Sequence, residues 1–384
     1  MDRTGHELLS GRVAEWFPLL PRARPPCRAL PRRIEEIREL ARAASDGANG
    51  TRLSTAAEAH NKAALILSDC GLDDLARQLC WRQFDIFHAA TPLTAKTAKI
   101  ALQPIGNLGR LLTRSGQSAR AYTIYQNAYD AVGTQAATTI DGRSIDFSHL
   151  VDQVEQRQET RRFLWSVLLA DGTRALTRAG QWDEALRHIE QHKGIGKRML
   201  DGRQVAILAR CTAGDCDGAI DMLNDSSTPE PWEQAVAACL RTLCLDVSDR
   251  PTGPSVAGMV SHYLQLDPTP GHLVFRTRLG LCVLDLAGGP DAAGGLEVAA
   301  TIARDAVASA DAYIARDVLA HASCQLSMTE ANRHTLAEII DSSGLHRATM
   351  PADLLHELTA SARTSEVQLV QLLSRSIRGQ RPRV

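Results

Sequence analysis

A glycine followed five residues later by an alanine, with an apolar helical pattern on either side, recurs along this chain and constrains its folding more than any other feature. SDCGLDDLARQL carries Gly71 and Ala76, TRSGQSARAYTIY carries Gly116 and Ala121, TRAGQWDEALRHI carries Gly180 and Ala185, and TAGDCDGAIDML carries Gly214 and Ala219. A helix that ends tightly needs a residue tolerant of positive φ, and glycine accepts it without a Cβ penalty. The small alanine then lets the next helix approach the first. Apolar residues at i, i+3, i+4 and i+7 in LGRLLTRSG and LLADGTRALTRAG give each first helix a stripe to bury. Pairs of this kind need neighbours to cover them, which predicts stacking into a superhelix.

This punctuation resembles the tetratricopeptide repeat family, whose period is about 34 residues. The spacing from Gly180 to Gly214 fits that period, and IGNLGRLLTRSGQSARAYTIYQNAYDAV places Leu108, Gly109, Leu112, Gly116, Ala121, Tyr125 and Ala128 where the family pattern wants them. The resemblance covers roughly residues 53 to 225; His192 departs from it, standing where the family prefers a small residue. A segment AHNKAAL, at Ala59–Leu65, followed by LCWRQ, at Leu79–Gln83, is similar to a wider set of actinobacterial helical-repeat proteins. The resemblance implies an all-α, right-handed superhelical solenoid of antiparallel helix pairs.

Composition agrees with helices: aromatics are only 4% of the chain, while Ala, Leu and Arg recur throughout. The formal net charge of −1 argues against a general nucleic-acid or membrane-surface binder. No apolar run is long enough to span a bilayer, and MDRTGHELLS lacks the basic-then-apolar pattern of a signal peptide, so a cytoplasmic protein is expected. The nine cysteines sit mostly among Leu, Ala and Val, which predicts buried, reduced thiols.

Four stretches follow along the chain: a helical and Pro/Arg-rich lead-in over 1–50, repeats over 51–225, degenerate repeats and capping helices over 226–376, and a basic tail, expected to be disordered, over 377–384. PRARPPCRALPRR reads as a solvated basic loop. Asp141-Gly142 inside AATTIDGRSIDF is a hairpin signal, since both residues accept positive φ; a small β-hairpin near residues 137–146 is predicted to protrude from the array. Ser327 followed by Glu330 reads as a capping box.

In the family the first helix of each pair lines a concave surface. Projecting that register here selects Asn61, Lys62, Asn107, Arg110, Arg114, Asp171, Arg174, Arg178, Arg203 and Gln204 as candidate groove residues. Arg110 is equivalent to Arg174 and Arg114 to Arg178, so stacking would bring guanidinium groups to one side, suited to a carboxylate or phosphate. The same residues also fit a row of solvated charges paired with acids such as Asp171. A clear copy of the family's carboxylate clamp is missing.

No phosphate-cradling glycine loop, nucleophile elbow or zinc-peptidase motif occurs. His188 and His192 stand one helical turn apart without an identifiable third ligand, and neither Cys211/Cys216 nor Cys239/Cys244 has zinc-knuckle spacing. No helix-turn-helix pattern is seen, so direct DNA binding is not expected. The sequence therefore points to a binding or adaptor protein without cofactor or metal, whose partner is a protein, a peptide or a small anionic ligand. The alternatives are a non-standard enzyme or accessory component of specialised-metabolite biosynthesis using the same groove, and a ligand-sensing regulator without its own DNA reader.

Overall fold

The computed structural model describes residues 13–46 and 51–380, and shows why the glycine–alanine pattern recurs. Gly71, Gly116, Gly180 and Gly214 all take positive φ, between 72° and 87°. At each, the residue after the glycine donates its backbone N–H to a carbonyl five residues back: Leu72 to Leu67, Gln117 to Leu112, Gln181 to Leu176 and Asp215 to Arg210. That is the left-handed closure of a helix C-terminus. The paired alanines, Ala76, Ala121, Ala185 and Ala219, are fully buried.

Helices α1 (Leu30–Asp46), α2 (Arg52–Asp69), α3 (Asp73–His88), α4 (Ala95–Arg114) and α5 (Ser118–Thr134) lead into strands β1 (Ala137–Ile140) and β2 (Arg143–Asp146). Next come α6 (Val154–Val167), a π-helical turn at Leu168–Gly172 and α7 (Thr173–Arg178). There follow α8 (Trp182–Gln191), α9 (Asp201–Thr212), α10 (Cys216–Asn224), α11 (Pro231–Val247), α12 (Gly253–Leu264) and α13 (Leu273–Ala287). Then α14 (Gly295–Ser309), α15 (Ala312–Leu319), α16 (Ala322–Ser327), α17 (Glu330–Ser343) and the long α18 (Ala352–Gln380) complete the order. The described residues are thus all-helical apart from one small antiparallel hairpin and an isolated bridge.

Two units make up the chain, each drawing on both sides of the other in sequence. The first runs from Ala29 to Ala175 and takes in the segment from Gly344 onward; the second runs from Leu176 to Ser343 and takes in the segment ending at Arg28. The division falls within α7, between Ala175 and Leu176.

In the first unit successive helices pack on one another from α1 to α6, and α18 returns to lie against α1, α2 and α3. Leu358, Ala362, Leu369 and Leu373 supply its buried stripe, joining a core that includes Ile34, Ile37, Leu67 and Phe84. The chain just before α18 caps α2: His346 N–H donates to the Asp69 carbonyl at 2.7 Å and Ala348 N–H to that of Cys70 at 2.8 Å. Gly71 serves that junction twice, because a Cβ there would also meet Ala348 backbone atoms at 3.3 Å.

The hairpin forms where the sequence places it, with Ala137 opposite Asp146 and Asp141 and Gly142 at positive φ. It does not protrude. Ile140, Ile145 and Phe147 are buried, and the Asp141 carboxylate, 2% exposed, accepts from Arg77, Trp81 and Arg120 on α3 and α5. Arg143 pairs with Asp85 at 2.9 Å and lies over the Trp81 ring. The apolar alternation that makes the strands also gives them a face to bury, so the turn docks.

In the second unit the core gathers Phe17, Leu208, Leu240, Leu243, Tyr263, Leu279, Leu281 and Val318. α11 opens with Pro231 and a capping box of Glu230 and Glu233. α17 is capped instead by Thr329, whose hydroxyl accepts from Asn332 N–H at 3.2 Å, because Ser327 ends the preceding helix α16. Residues 381–384 of the basic tail lie outside the described residues, as do the first twelve residues and 47–50.

Candidate functional site

The structure links polar side chains of α2, α4 and the π-helical turn of the first unit into one hydrogen-bonded chain. Asn61, on α2, donates Nδ2 to Gln103 Oε1 at 2.9 Å and accepts through Oδ1 from Asn107 Nδ2 at 2.9 Å. Asn107, on α4, accepts through Oδ1 from Arg110 Nη1 at 3.0 Å. Arg110 then reaches Asp171 with Nε at 3.2 Å and Nη2 at 2.7 Å. Gln103 and Arg110 are exposed and Asn61, Asn107 and Asp171 are half-buried, so a line of donors and acceptors faces solvent.

Local structure fixes each member. Asn107 and Arg110 stand one turn apart on α4, whose start is capped by Thr94 accepting from Thr97 N–H. Asp171 lies in the π-helical turn between α6 and α7, a widening of the helix often found at functional positions. Behind the ion pair stands Tyr125, its hydroxyl donating to the Gly106 carbonyl at 3.3 Å. Gly109 permits that approach, since a Cβ there would overlap the tyrosine ring.

The charges are locally balanced. Desolvation opposes the Arg110 guanidinium, but the Asp171 carboxylate beside it outweighs this and raises its pKa above the ordinary value. Burial, followed by the nearby Asp171 charge, holds the Tyr125 hydroxyl well above the usual phenol range, so it stays a neutral donor. Arg174 acts electrostatically on the same tyrosine. Lys62 pairs with Glu58 at 2.7 Å along α2.

Arg114 belongs to an adjoining cluster. It donates to Ser68 Oγ at 2.7 Å and lies 3.4 Å from Asp69, whose other carboxylate oxygen takes buried Arg33 at 2.5 Å. Two guanidinium groups therefore share one acid. Sequence reading missed Gln103, Arg33 and Asp69: Gln103 sits one turn before Asn107 on the same face and could have been found from spacing, whereas Arg33 lies on α1, ahead of the first glycine–alanine pair.

Three sequence-selected residues fall in the second unit. Arg203 is buried and committed to its own surroundings, donating to Ser226 Oγ, the Gly196 and Met222 carbonyls and Asp225. Gln204 is fully buried, its carboxamide bonded to both backbone groups of Leu19 and to the Met199 carbonyl. Arg178 is exposed and lies in the electrostatic neighbourhood of Arg278, Asp317, Glu15 and Arg316. A depression of about 450 Å³ in this unit, lined by Ala237, Ala238, Arg241, Gly258, Met259 and His262 among others, involves none of the selected residues.

The cysteines described here are all free and buried. Burial pushes the Cys80 thiol up to about 12, so it is held as an unreactive thiol. No group of three or more metal-ligating side chains occurs among the described residues, and no described helix is long and apolar enough to cross a membrane. In comparisons with known proteins, no family model, no curated protein and no solved structure matches this chain.

Proposed function

We propose that the chain is a tetratricopeptide-like binding or adaptor protein, a right-handed superhelix that receives an extended peptide segment of a partner along the polar chain of its first unit. The observation that carries this reading is the run Gln103–Asn61–Asn107–Arg110–Asp171, which crosses α2, α4 and the π-helical turn. A peptide backbone presents alternating N–H and C=O groups, and carboxamides can answer both. Because Asp171 already neutralises Arg110, the run suits an uncharged backbone better than a free anion. The shared left-handed closures and buried alanines of the repeats support the stacked architecture. Free cysteines throughout support a reducing, cytoplasmic setting.

A peptide array probed with the full chain tests the reading. A subset of peptides should bind, and Asn61→Ala with Asn107→Ala should weaken that binding at least tenfold, since each loss leaves backbone groups unanswered. Wild-type protein that binds no peptide, or a double variant that binds as wild type, defeats the reading.

A further inference from the structure

α11 and α12 pack on each other, and each turns one stripe of side chains to the depression of about 450 Å³ in the second unit. Gln234, Ala237, Ala238 and Arg241 follow the i, i+3, i+4, i+7 rhythm of one side of α11. Ser255, Gly258, Met259 and His262 repeat it on α12. Ala237, Ala238 and Gly258 carry a methyl group or nothing, and that shortness leaves the hollow, with Met259 fully buried in its wall. A Cβ added at Gly258 would meet no atom within 4 Å, so the space beside it is open. The volume falls in the range of about 300–1,000 Å³ common to small-molecule sites.

The polar groups around the hollow are largely uncommitted. Arg241 donates Nη2 to the neutral Asn224 Oδ1 at 2.6 Å; its Nε and Nη1 bond to no described residue, and it pairs with no described acid. The His262 ring and the hydroxyls of Thr228 and Ser255 make no hydrogen bond or ion pair with any described residue. All four residues are half-buried. Gln234 is already engaged, its Nε2 donating to the Thr228 carbonyl at 3.2 Å and tying the incoming loop to α11. None of the described residues lining the depression is an acid. A half-buried guanidinium held only by a neutral amide keeps its charge for a ligand.

We propose that this depression binds a small organic monocarboxylate with an apolar body. Arg241 takes the carboxylate, while His262 and the hydroxyls of Thr228 and Ser255 supply further hydrogen bonds. The body lies over Ala237, Ala238 and Gly258, against Met259, whose thioether packs well on rings and alkyl chains. One guanidinium matches the two oxygens of a carboxylate, whereas the three or four oxygens of a phosphate call for several cations. The depression lies wholly in the second unit and shares no residue with the polar run of the first, so either reading can fail without the other.

Saturation-transfer NMR titrations of the full chain with phenylacetate, hexanoate and cinnamate, at constant ionic strength, test the proposal. At least one acid should bind saturably, about tenfold tighter than acetate, which lacks the body, and than its own amide, which lacks the charge. Gly258→Leu should abolish that binding by filling the hollow. Gly258 is helical with open space beside it, so this variant should unfold in urea no earlier than wild type. Arg241→Gln should weaken the acid about tenfold and leave the amide unchanged, a split that loss of structure would not produce. Arg187→Ala, removing an exposed arginine of α8 in the same unit, should leave binding unchanged. No saturable binding by any of the three acids, acetate or the amide binding as tightly as the acid, or undiminished binding by either Gly258→Leu or Arg241→Gln would each overturn it.

Discussion

The backbone N–H of Ala348 donates to the carbonyl of Cys70, so the first of the four glycine turns is closed by chain that arrives only after the whole second unit. Gly71 must therefore satisfy a backbone angle and a close neighbour together, whereas Gly116 has open space around it. Gly116→Ala should cost about 1 kcal/mol, the left-handed penalty for a residue with a Cβ. Gly71→Ala should cost about 1 kcal/mol more, because Ala348 backbone must move. Denaturant midpoints of the two variants measure the difference; equal values would remove the second constraint.

α18 carries buried and exposed residues two positions apart, which separates packing from helix propensity. Leu369 is fully buried against the first unit's core, while Val367 is half exposed. Leu369→Ala should lower stability by about 3 kcal/mol through lost burial and the cavity left behind. Val367→Ala should stay within about 0.5 kcal/mol of wild type. Urea unfolding of the full chain reads both.

Asp141 is the pin of the docked hairpin. Its removal strands donors from Arg77, Trp81 and Arg120, although the two arginines are half exposed and water partly replaces the acid. Asp141→Ala should cost about 2 kcal/mol and speed tryptic cleavage after Arg143. Asp141→Asn, which keeps a residue tolerant of the left-handed region, should cost less. Cleavage at the wild-type rate in Asp141→Ala would show the turn to be held by its apolar face alone.

Asp317, buried on α15, sets a pH dependence. Burial opposes its charge, but Arg278 and Arg316 outweigh burial and depress its folded pKa. Ionised Asp317 therefore contributes stability that is fully present above the unfolded carboxylate value of 3.8 and is lost as pH falls through the lower folded value. Denaturation midpoints of wild type should therefore drop more steeply than those of Asp317→Asn as pH is taken below 4. Parallel curves for the two proteins would count against a charged Asp317 in the folded state.

The sequence reveals local features well, because glycine closures and buried alanines depend only on near neighbours. Gly71, Gly116, Gly180 and Gly214 are legible for that reason. The pattern is harder to follow where another residue takes the same angle: Asp249, at φ 53°, lets Arg250 N–H reach the Leu245 carbonyl just as the glycine turns do. The π-helical turn that carries Asp171 is hidden because LLADGTRAL keeps an apolar spacing compatible with ordinary helix. Arg203 and Gln204 show the other limit. Their register alone suits a groove, yet Gln204 holds Leu19, a partner so distant in sequence that no periodicity announces it. Likewise the register pairs Arg178 with Arg114, while its cationic neighbours, Arg278 and Arg316, come from helices far along the chain.

The exchange of segments between the two units also has a consequence for synthesis. As the nascent chain leaves the ribosome, α1 and α2 emerge long before α18, and their apolar faces must wait while residues 176–343 are translated. The second unit waits at its other end, since the segment around Phe17 and Leu19 emerges well before the helices it joins. Completion of the first unit is therefore a late event, and a chaperone that shields α1 and α2 during translation would guard the surface exposed longest.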